Sequence, residues 1–515
     1  MCSRNSKWSR LKTYRQAVWP EPSLFELGAE GRQGFDFPML DVSEPMDLTN
    51  FIPKNLLRDE KLAIPELSEV EVVRHFTRLS QMNFSLDTGM YPLGSCTMKY
   101  NPKVNDLVTS SKKVHLVHPL QPEDTIQGSL EIMYRLSKWL EEITGMDAFS
   151  LQPSAGAQAE FAGVLMIRAY HQSRQDFSRD EILVPDSAHG TNPASASMGG
   201  YKVTVIPTGE DGCIDIGALE AAAGRRTAAL MLTNPNTLGL FEKRTLEVAE
   251  IIHRVGGLLY YDGANLNAIL GKARPGDMGF DIVHINLHKT FSTPHGGGGP
   301  GGGPVGVKKD LERFLPIPVI TYDGKKYHLE FNRPHSIGML SSYYGNFEVL
   351  LRAFVYILLM GAEGLKKVSE VAVLNANYMA SRIRTIRGFT LPYDNGTPRK
   401  HEFVISCKNM REETGVSARE VAKRLLDFGF HAPTVYFPQM VEEALMIEPT
   451  ETETLEEMDR FINALEQISY EAYKDPKYVA ESPHNTSVKT LDEARASHPM
   501  TICTSWRTLT IARNK

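Results

Sequence analysis

Short apolar strands alternate with helical stretches between about residue 159 and residue 290, and this alternation constrains the fold more than any other feature. The β-rich runs lie at Ile182–Pro185, Lys202–Pro207, Thr227–Thr233, Leu258–Asp262 and Ile282–Leu287. Helical periodicity occupies Ala159–Gln172, Gly217–Ala223 and Thr245–Arg254. Runs such as AALMLT and GLLYYD are apolar throughout, as strands buried on both faces are. The sequence therefore predicts an α/β fold with a mostly parallel sheet flanked by helices.

The rest of the chain is divided by changes in pattern. Residues 1–65 are irregular and are expected to form an N-terminal arm or extension. A large α/β domain with a helical lead-in is predicted for residues 66–330, and connecting helices are predicted for 331–385. Residues 386–490 are expected to form a smaller C-terminal α+β domain, followed by a tail at 491–515.

Charge and cysteine usage exclude several classes of protein. Lys and Arg number 56 and Asp and Glu 62, a net charge of −6, so we expect no nucleic-acid partner. No apolar run is long enough to span a bilayer, so we expect no membrane association. The five cysteines are scattered without a CxxC pair, which argues against a disulfide framework and a structural zinc. We therefore predict a cytoplasmic protein without a metal site. The basic N-terminus is compatible with a transit peptide or a plain extension.

A turn of small residues opens the first helix of the alternating region. In Pro153–Gln158 (PSAGAQ), the chain enters a helix whose first N–H groups are free and carry the positive end of the helix dipole. Such a turn can bind a phosphate, although taken alone a simple tight turn is the better explanation. It is not a Walker loop, because no GK[ST] follows.

Three further residues follow strands of the predicted parallel sheet. Asp262 comes directly after an apolar strand, where it either caps a turn or pairs with a buried cation. Lys289 ends the next strand and precedes a glycine-rich stretch, and it either extends its amine to solvent or meets an anion or a covalent partner. His189 follows an earlier strand and is either a turn residue or a ring that stacks on a ligand.

The order of these features matches what pyridoxal phosphate requires. Its phosphate needs an anion site, its ring nitrogen needs a carboxylate, and its aldehyde needs a lysine amine. Ligands of such sheets bind at the carboxyl ends of the strands, where these residues lie. The sequence therefore predicts a pyridoxal-phosphate site with Lys289, Asp262 and His189 as its catalytic residues.

Six long segments closely resemble one family, glycine dehydrogenase (decarboxylating), the P-protein of the glycine cleavage system. They are YPLGSCTMKYNPK (Tyr91–Lys103), QPSAGAQAE, PDSAHGTNPASA, LTNPNTLGLFE, YYDGANLNA and NLHKTFSTPHGGGGPG. The resemblance extends from about residue 24 to about residue 491. Because the chain starts near the second half of the fused family form, it looks like the second subunit of the split form.

This resemblance implies a fold-type I pyridoxal-phosphate architecture with Lys289 carrying the cofactor. Asp262 would pair with the pyridine nitrogen, and His189 would lie over the ring. The other implied cofactor contacts are Ser154, Gly156, Ala157 and Gln158 in the phosphate turn, with Thr233, Asn265 and Thr290 close by. Tyr91, Ser95 and Cys96 would lie in a loop at the entrance.

The resemblance also implies the reaction and the partners. Glycine would lose CO2, and the aminomethyl group would pass to the lipoyl arm of H-protein. A first subunit would complete an α2β2 assembly. Two alternatives stay open: another fold-type I enzyme that acts on a small amino acid by aldol cleavage or transamination, and a non-catalytic scaffold subunit. Lys289 and Asp262 together argue against the scaffold.

Overall fold

A seven-stranded sheet forms the centre of the fold. The computed structural model of the protein describes residue 11 and residues 14–36, 38, 47–60, 62, 64–296 and 301–499. The strands are β1 (Ala148–Ser150), β2 (Glu181–Pro185), β3 (Lys202–Ile206), β4 (Thr227–Thr233), β5 (Leu258–Gly263), β6 (Ile282–Ile285) and β7 (Val305–Val307). Their order is β1-β7-β6-β5-β4-β2-β3, and only β7 runs against its two neighbours. The mostly parallel sheet expected from the sequence is therefore confirmed.

Helices cover both faces of this sheet, and β4 and β5 are therefore buried along their whole length. The helices are α3 (Lys103–Thr109), α4 (Lys112–His115), α5 (Gln127–Thr144), α6 (Gly156–Ser173), α7 (Thr191–Met198), α8 (Ile216–Ala222), α9 (Thr245–Arg254) and α10 (Leu287–Thr290). A hairpin of β8 (Val319–Tyr322) and β9 (Tyr327–Glu330) follows. Two apolar clusters, one from each face, form the core of this part.

A long helix, α11 (Phe347–Ile383), connects this core to a smaller α+β part. Its backbone is interrupted at Gly361, which has φ 59° and ψ −178°. Residues before Gly361 pack on the core of the large sheet, and residues after Ala376 pack on the second core. The smaller part comprises β10 (Phe403–Ser406), α12 (Lys408–Thr414), α13 (Ala418–Leu426), β11 (Thr434–Val435), β12 (Ala444–Ile447), α14 (Leu455–Lys474) and α15 (Pro476–Ala480). Its three strands are antiparallel in the order β10-β12-β11.

The elements above belong to one compact unit, and a second unit combines the two ends of the chain. The described residues of the second unit lie between 14 and 85 and between 481 and 499, and they include α1 (Leu24–Leu27), α2 (Glu69–Gln81) and α16 (Glu493–Ser497). The amide of Gln16 donates to the carbonyl of Asn485 at 3.0 Å, which joins the two ends. Across all described residues, no helix has the length and hydropathy that crossing a membrane requires.

Candidate active site

Asp262 is a buried carboxylate at the carboxyl end of β5. Its side chain accepts hydrogen bonds from the Asn192 amide at 2.9 Å, the Ala264 backbone N–H at 3.0 Å and the Thr233 hydroxyl at 3.4 Å. His284 stands opposite Asp262 on β6, with Nε2 3.3 Å from Oδ1. The other ring nitrogen of His284 contacts the Tyr260 hydroxyl at 2.6 Å. The Asp262 carboxylate is thus fixed by donors from three elements.

These donors decide the charge of Asp262. Burial raises the pKa of a carboxyl, but the field of His284, the Asn192 and Ala264 hydrogen bonds and the Lys289 charge together lower the pKa of Asp262. Burial lowers the pKa of His284, and the negative charge of Asp262, which acts to raise it, only partly offsets this shift. A fixed negative charge is therefore available deep inside the sheet edge.

Lys289 lies in the single turn of α10, beyond the end of β6. The predicted position of this lysine at the end of the strand is wrong: β6 ends at Ile285, and the Phe291 amide donates to the Leu287 carbonyl at 3.2 Å to close a helical turn. The side chain is 8% exposed, and Nζ donates to the carbonyl of Ser95 at 2.8 Å. The buried Lys289 therefore lies in the turn that follows β6, the strand next to the one that carries Asp262.

The charge of Lys289 acts on groups from several elements, which shows that they converge on one place. Its charge lowers the pKa of carboxyls and histidines around it, and these groups are Asp262, Glu160, Glu402, Glu448, His189 and His284.

The small-residue turn begins α6 beside the Lys289 turn. A Cβ at Gly156 would lie 2.5 Å from Oδ1 of Asn286, so only glycine permits this approach. The Gln158 side chain accepts from the Ser154 backbone N–H at 2.7 Å and from its hydroxyl at 3.0 Å. Ala157 lies exposed in the first turn of the helix. The free N–H groups of an α6 start are thus held next to the turn that carries Lys289.

The glycine-rich stretch reaches the same place. A Cβ at Gly303 would lie 2.2 Å from the Ala155 carbonyl oxygen. The Asn346 amide ties the two segments together, since it donates to the carbonyls of Ser154 at 3.2 Å and Gly301 at 2.6 Å. Close backbone approach is therefore what these glycines permit. Residues 297–300 of the stretch lie outside the described residues.

His189 lies half-buried between β2 and α7. Its Nδ1 is 2.9 Å from the Thr191 hydroxyl, which donates to Glu160 at 2.8 Å, and the edge of its ring packs on Phe437 with centroids 5.6 Å apart. Burial lowers the pKa of His189, so its ring is neutral near pH 7. Burial and the charge of Asp262 raise the pKa of Glu160 to about 8.

The loop Tyr91–Lys99 joins the large sheet to the smaller part of the unit. Tyr91 stacks on His431 with centroids 3.8 Å apart, and the Gly94 amide donates to the Met446 carbonyl at 3.2 Å. Its Lys99 donates to the Thr290 carbonyl at 2.7 Å and pairs with Glu451 at 2.6 Å. Cys96 is partly buried, and burial raises the pKa of its thiol. The loop thus spans the site from one part to the other.

Two predicted residues lie nearby with other contacts. Asn265 is buried and donates to the Pro235 carbonyl at 2.8 Å, and its side chain also lowers the pKa of Glu402. Thr290 is buried, and its hydroxyl has no hydrogen-bond partner among the described residues. Sequence reasoning missed Asn192, Glu160, His284, Glu402 and Glu448. Asn192 and Glu160 lie inside two of the segments that carry the resemblance, PDSAHGTNPASA and QPSAGAQAE, and His284 stands two residues before a third.

The mostly parallel sheet with a smaller C-terminal part is the architecture of the fold-type I pyridoxal-phosphate enzymes. The chain is similar to a solved glycine decarboxylase (P-protein) of the glycine cleavage system in inhibitor-bound form, with a TM-score of 0.68, 22% identity, and coverage of 82% of this chain and 94% of that one. It is also similar in fold to a glutamate decarboxylase of Lactobacillus brevis, with a TM-score of 0.64, 14% identity and coverage of 81% and 96%.

Sequence relatives give the family. The model of the glycine cleavage system P-protein matches residues 37–325, and that of the glycine dehydrogenase C-terminal domain matches 368–491. The chain is 58% identical to a probable glycine dehydrogenase (decarboxylating) subunit 2 of Pyrococcus furiosus, over 96% of this chain and 97% of that protein. A protein of the same name from Bacillus velezensis is 55% identical over 92% and 95%. The chain belongs to the glycine cleavage system P-protein family.

Proposed function

We propose that this chain is a pyridoxal-phosphate enzyme subunit that decarboxylates glycine and passes the aminomethyl group to the lipoyl arm of H-protein, releasing CO2. One observation carries the proposal. The buried amine of Lys289 and the buried carboxylate of Asp262 lie at the carboxyl ends of two adjacent strands, in a chain 58% identical to a probable glycine dehydrogenase (decarboxylating) subunit 2.

The residues present fit pyridoxal phosphate. A phosphate would be held by the backbone of the turn at the start of α6, with Ser154, Gly156, Ala157 and Gln158, and by the unpartnered hydroxyl of Thr290. The buried Oδ1 of Asn286 also has no partner among the described residues. Asp262 would face the ring nitrogen, His189 the ring, and Thr233 and Asn265 its surroundings. Lys289 is the amine available to the aldehyde.

Each of these side chains has a defined task. When bound, pyridoxal phosphate supplies a sink for the electron pair that remains when glycine loses CO2. Asp262 stays ionised because Asn192 and Ala264 donate to its oxygens and His284 faces them, and its charge would keep a proton on a pyridine nitrogen beside it. Lys289 holds its amine on the Ser95 carbonyl, where it can accept or return a proton. Burial of Asp262 and Lys289 excludes water from both groups and strengthens the electrostatic effect of each.

The partners follow from the names of the relatives. A protein called subunit 2 implies a subunit 1, and we propose that this chain binds such a subunit in an α2β2 assembly. The lipoylated H-protein is proposed as the acceptor, so electrons from glycine reduce a disulfide and not a nicotinamide. No Gly-x-Gly-x-x-Gly motif after a strand is needed for this chemistry.

The experiment combines the chain with subunit 1, glycine, pyridoxal phosphate and lipoylated H-protein, and it measures CO2 release and the exchange of glycine carboxyl with bicarbonate. We expect both activities from the native chain and neither from Lys289→Ala. Lys309→Ala, which removes an exposed lysine, serves as the control and should retain both. Aldol cleavage or transamination without H-protein, and no CO2 release, would contradict the proposal.

A further inference from the structure

Three fully buried groups form a cluster beside the loop Tyr91–Lys99. They are His401, Glu402 and Glu448, and their ligand-type atoms all lie within 4.8 Å of one another. Oε1 of Glu402 and both ring nitrogens of His401 have no hydrogen-bond partner among the described residues. Unpaired buried acceptors are costly, so this cluster requires an explanation.

The carboxyl groups of Glu402 and Glu448 accept hydrogen bonds from two residues of the loop Tyr91–Lys99. Oε2 of Glu402 accepts from the Ser95 backbone N–H at 2.7 Å, and Oε2 of Glu448 accepts from the Thr97 backbone N–H at 2.9 Å. Ser95 and Thr97 have φ values of 66° and 48°, a left-handed conformation that needs such support. The Ser95 carbonyl in turn accepts from Nζ of Lys289. Glu402 and Lys289 are therefore linked through one residue, Ser95, whose N–H and carbonyl they bind.

Two ionised carboxylates cannot both persist so close together in a buried site. Burial and then the charge of Glu448 raise the pKa of Glu402 well above its usual range, while Lys289 and the Ser95 N–H oppose that rise. Burial raises the pKa of Glu448 to about 7, although hydrogen bonds from Thr97 and Asn267 lower it. The neighbouring His401 has its pKa lowered to about 3 by burial and by Lys289, so it brings no positive charge.

The thiol of Cys96 completes the titratable surroundings. Burial raises its pKa, and so do the charges of Glu448 and Glu402, while Lys289 lowers it. The charge of Lys289 thus acts on all four of these residues, as it acts on Asp262.

We propose that Glu402 is a neutral carboxylic acid with its proton on the unpartnered Oε1, that Glu448 is the carboxylate, and that both are positioning residues for Lys289. Glu402 supports the Ser95 peptide as an uncharged acceptor. Glu448 supports the Thr97 backbone N–H and supplies the one negative charge of this cluster, in addition to the charge of Asp262 on the other side of the site. This assignment rests on the proposed role of Lys289 and adds to it the groups that place its amine.

Glutamine mimics a neutral acid but not a carboxylate, so the two positions should respond differently. Glu402→Gln keeps the acceptor for Ser95, and we expect the rate of imine formation with pyridoxal phosphate, followed by absorbance, to stay within about threefold of the native rate. Glu448→Gln removes the charge, and we expect the rate at pH 7 to differ from the native rate by at least about tenfold, because a nearby carboxylate favours the ammonium form while the neutral amine attacks the aldehyde. Glu448→Asp, which keeps the charge, should reverse part of that change.

Infrared spectroscopy of the cofactor-free protein at pH 9 tests the proton directly. A protonated carboxylic acid band should be present, lost in Glu402→Gln and retained in Glu453→Gln. Glu453 is the matched control, because burial raises its pKa only to about 7 and it is ionised at pH 9. This measurement needs neither glycine nor bound cofactor, so a failure of the proposed enzymatic function leaves it unaffected.

Three results would overturn the proposal. The first is a spectrum at pH 9 in which Glu402→Gln changes no carboxylic acid band. The second is an equal change in the rate of imine formation in Glu402→Gln and Glu448→Gln, with melting temperatures unchanged. The third is one equivalent of a divalent metal in the purified protein that either substitution removes, since the cluster would then hold a cation and not a proton.

Discussion

Asp262 keeps its charge in a buried site because three neighbours donate to or face its two oxygens. Asp262→Asn preserves the shape of the side chain and removes that charge. We expect the rate of glycine decarboxylation to fall by about a hundredfold or more, as when one preorganised electrostatic partner is lost. The measurement is CO2 release with the complete system, together with a melting curve to verify folding.

Thr233→Val is the matched variant for this test. The Thr233 hydroxyl donates to Oδ2 of Asp262, the oxygen that also accepts from Asn192, but the distance is 3.4 Å and the donor is uncharged. A neutral hydrogen bond of this kind contributes about 0.5–1.5 kcal/mol, so the rate should fall by less than about tenfold. An equal loss in both variants would show that the charge of Asp262 is not what matters.

Single residues were predictable where a polar side chain follows an apolar run. Asp262 and Lys289 stand out for this reason, and the structure buries both. Asn192 and Glu160 lie inside helices, where a polar residue is ordinary, and only the packing of α6 and α7 turns them toward Asp262. Glu402 and Glu448 lie more than 100 residues farther along the chain than Lys289, so no local pattern connects them to it.

The loop Tyr91–Lys99 depends on a glycine at its closest approach to β12. A Cβ at Gly94 would lie 2.2 Å from Cγ of Met446 and 2.8 Å from its backbone. We expect Gly94→Ala to lower the free energy of unfolding by about 1–3 kcal/mol, as overpacking does. Gly89→Ala is the control in the same segment, since its Cβ would meet only ordinary contact at 3.7 Å. Urea unfolding measures both, and equal stabilities would contradict this packing.

The buried salt bridge at the end of that loop, between Lys99 and Glu451, provides a second test. The pair Lys99–Glu451 is 2.6 Å long with side chains 1% and 9% exposed, whereas Lys103–Asp87 is 2.7 Å long with side chains 58% and 54% exposed. Lys99→Met leaves a buried carboxylate unpaired, so we expect a loss of about 3–5 kcal/mol in unfolding free energy. Lys103→Met should cost about 1 kcal/mol or less. Similar losses in the two variants would show that burial of the first pair is unimportant.

Elements with a strong pattern were predictable, and those without one were not. β4 and β5 are continuous apolar runs and fold as the strands expected. β1 and β7 have only three residues each, too few to show a period, and their antiparallel pairing depends on residues far apart in the chain. α7 was not predicted, because TNPASASM consists of small polar residues without a helical apolar stripe.

For the whole molecule, buried carboxyl groups set the response of stability to pH. Burial raises the pKa of Glu160 to about 8 and those of Glu242, Glu448 and Glu453 to about 7. These groups bind protons in the folded protein at a pH where the unfolded chain has released them. Their contribution to the free energy of unfolding is therefore complete below about pH 4.5, and it is lost as the pH rises through 7 and 8.

Histidines act in the opposite range. Burial lowers the pKa of His288 to about 3, so below pH 6.5 the unfolded chain takes up a proton that the folded protein does not. Above pH 6.5 such histidines are neutral in the folded and the unfolded protein. The buried carboxyl groups then determine how the free energy of unfolding depends on pH. Glu402, whose pKa burial raises well above its usual range, adds to this effect. We therefore expect the unfolding free energy of the cofactor-free protein to fall by several kcal/mol between pH 6.5 and pH 9.

Urea unfolding across this range provides the measurement. Glu160→Gln should flatten the decline above pH 7, because it removes a carboxyl group whose pKa is about 8. Glu456→Gln, at an exposed position, should leave the decline as it is. A stability that rises from pH 6.5 to pH 9 would contradict the assignment of these buried carboxyl groups as protonated.

The identity of the amine that holds pyridoxal phosphate is tested most directly by reduction with borohydride. The protein is loaded with pyridoxal phosphate, reduced, digested and analysed by mass spectrometry. We predict one pyridoxyl-phosphate group per chain, on the peptide that contains Lys289, and none in Lys289→Ala. A label on Lys99, the other buried lysine of the site, or no incorporation into the native protein would contradict the central claim.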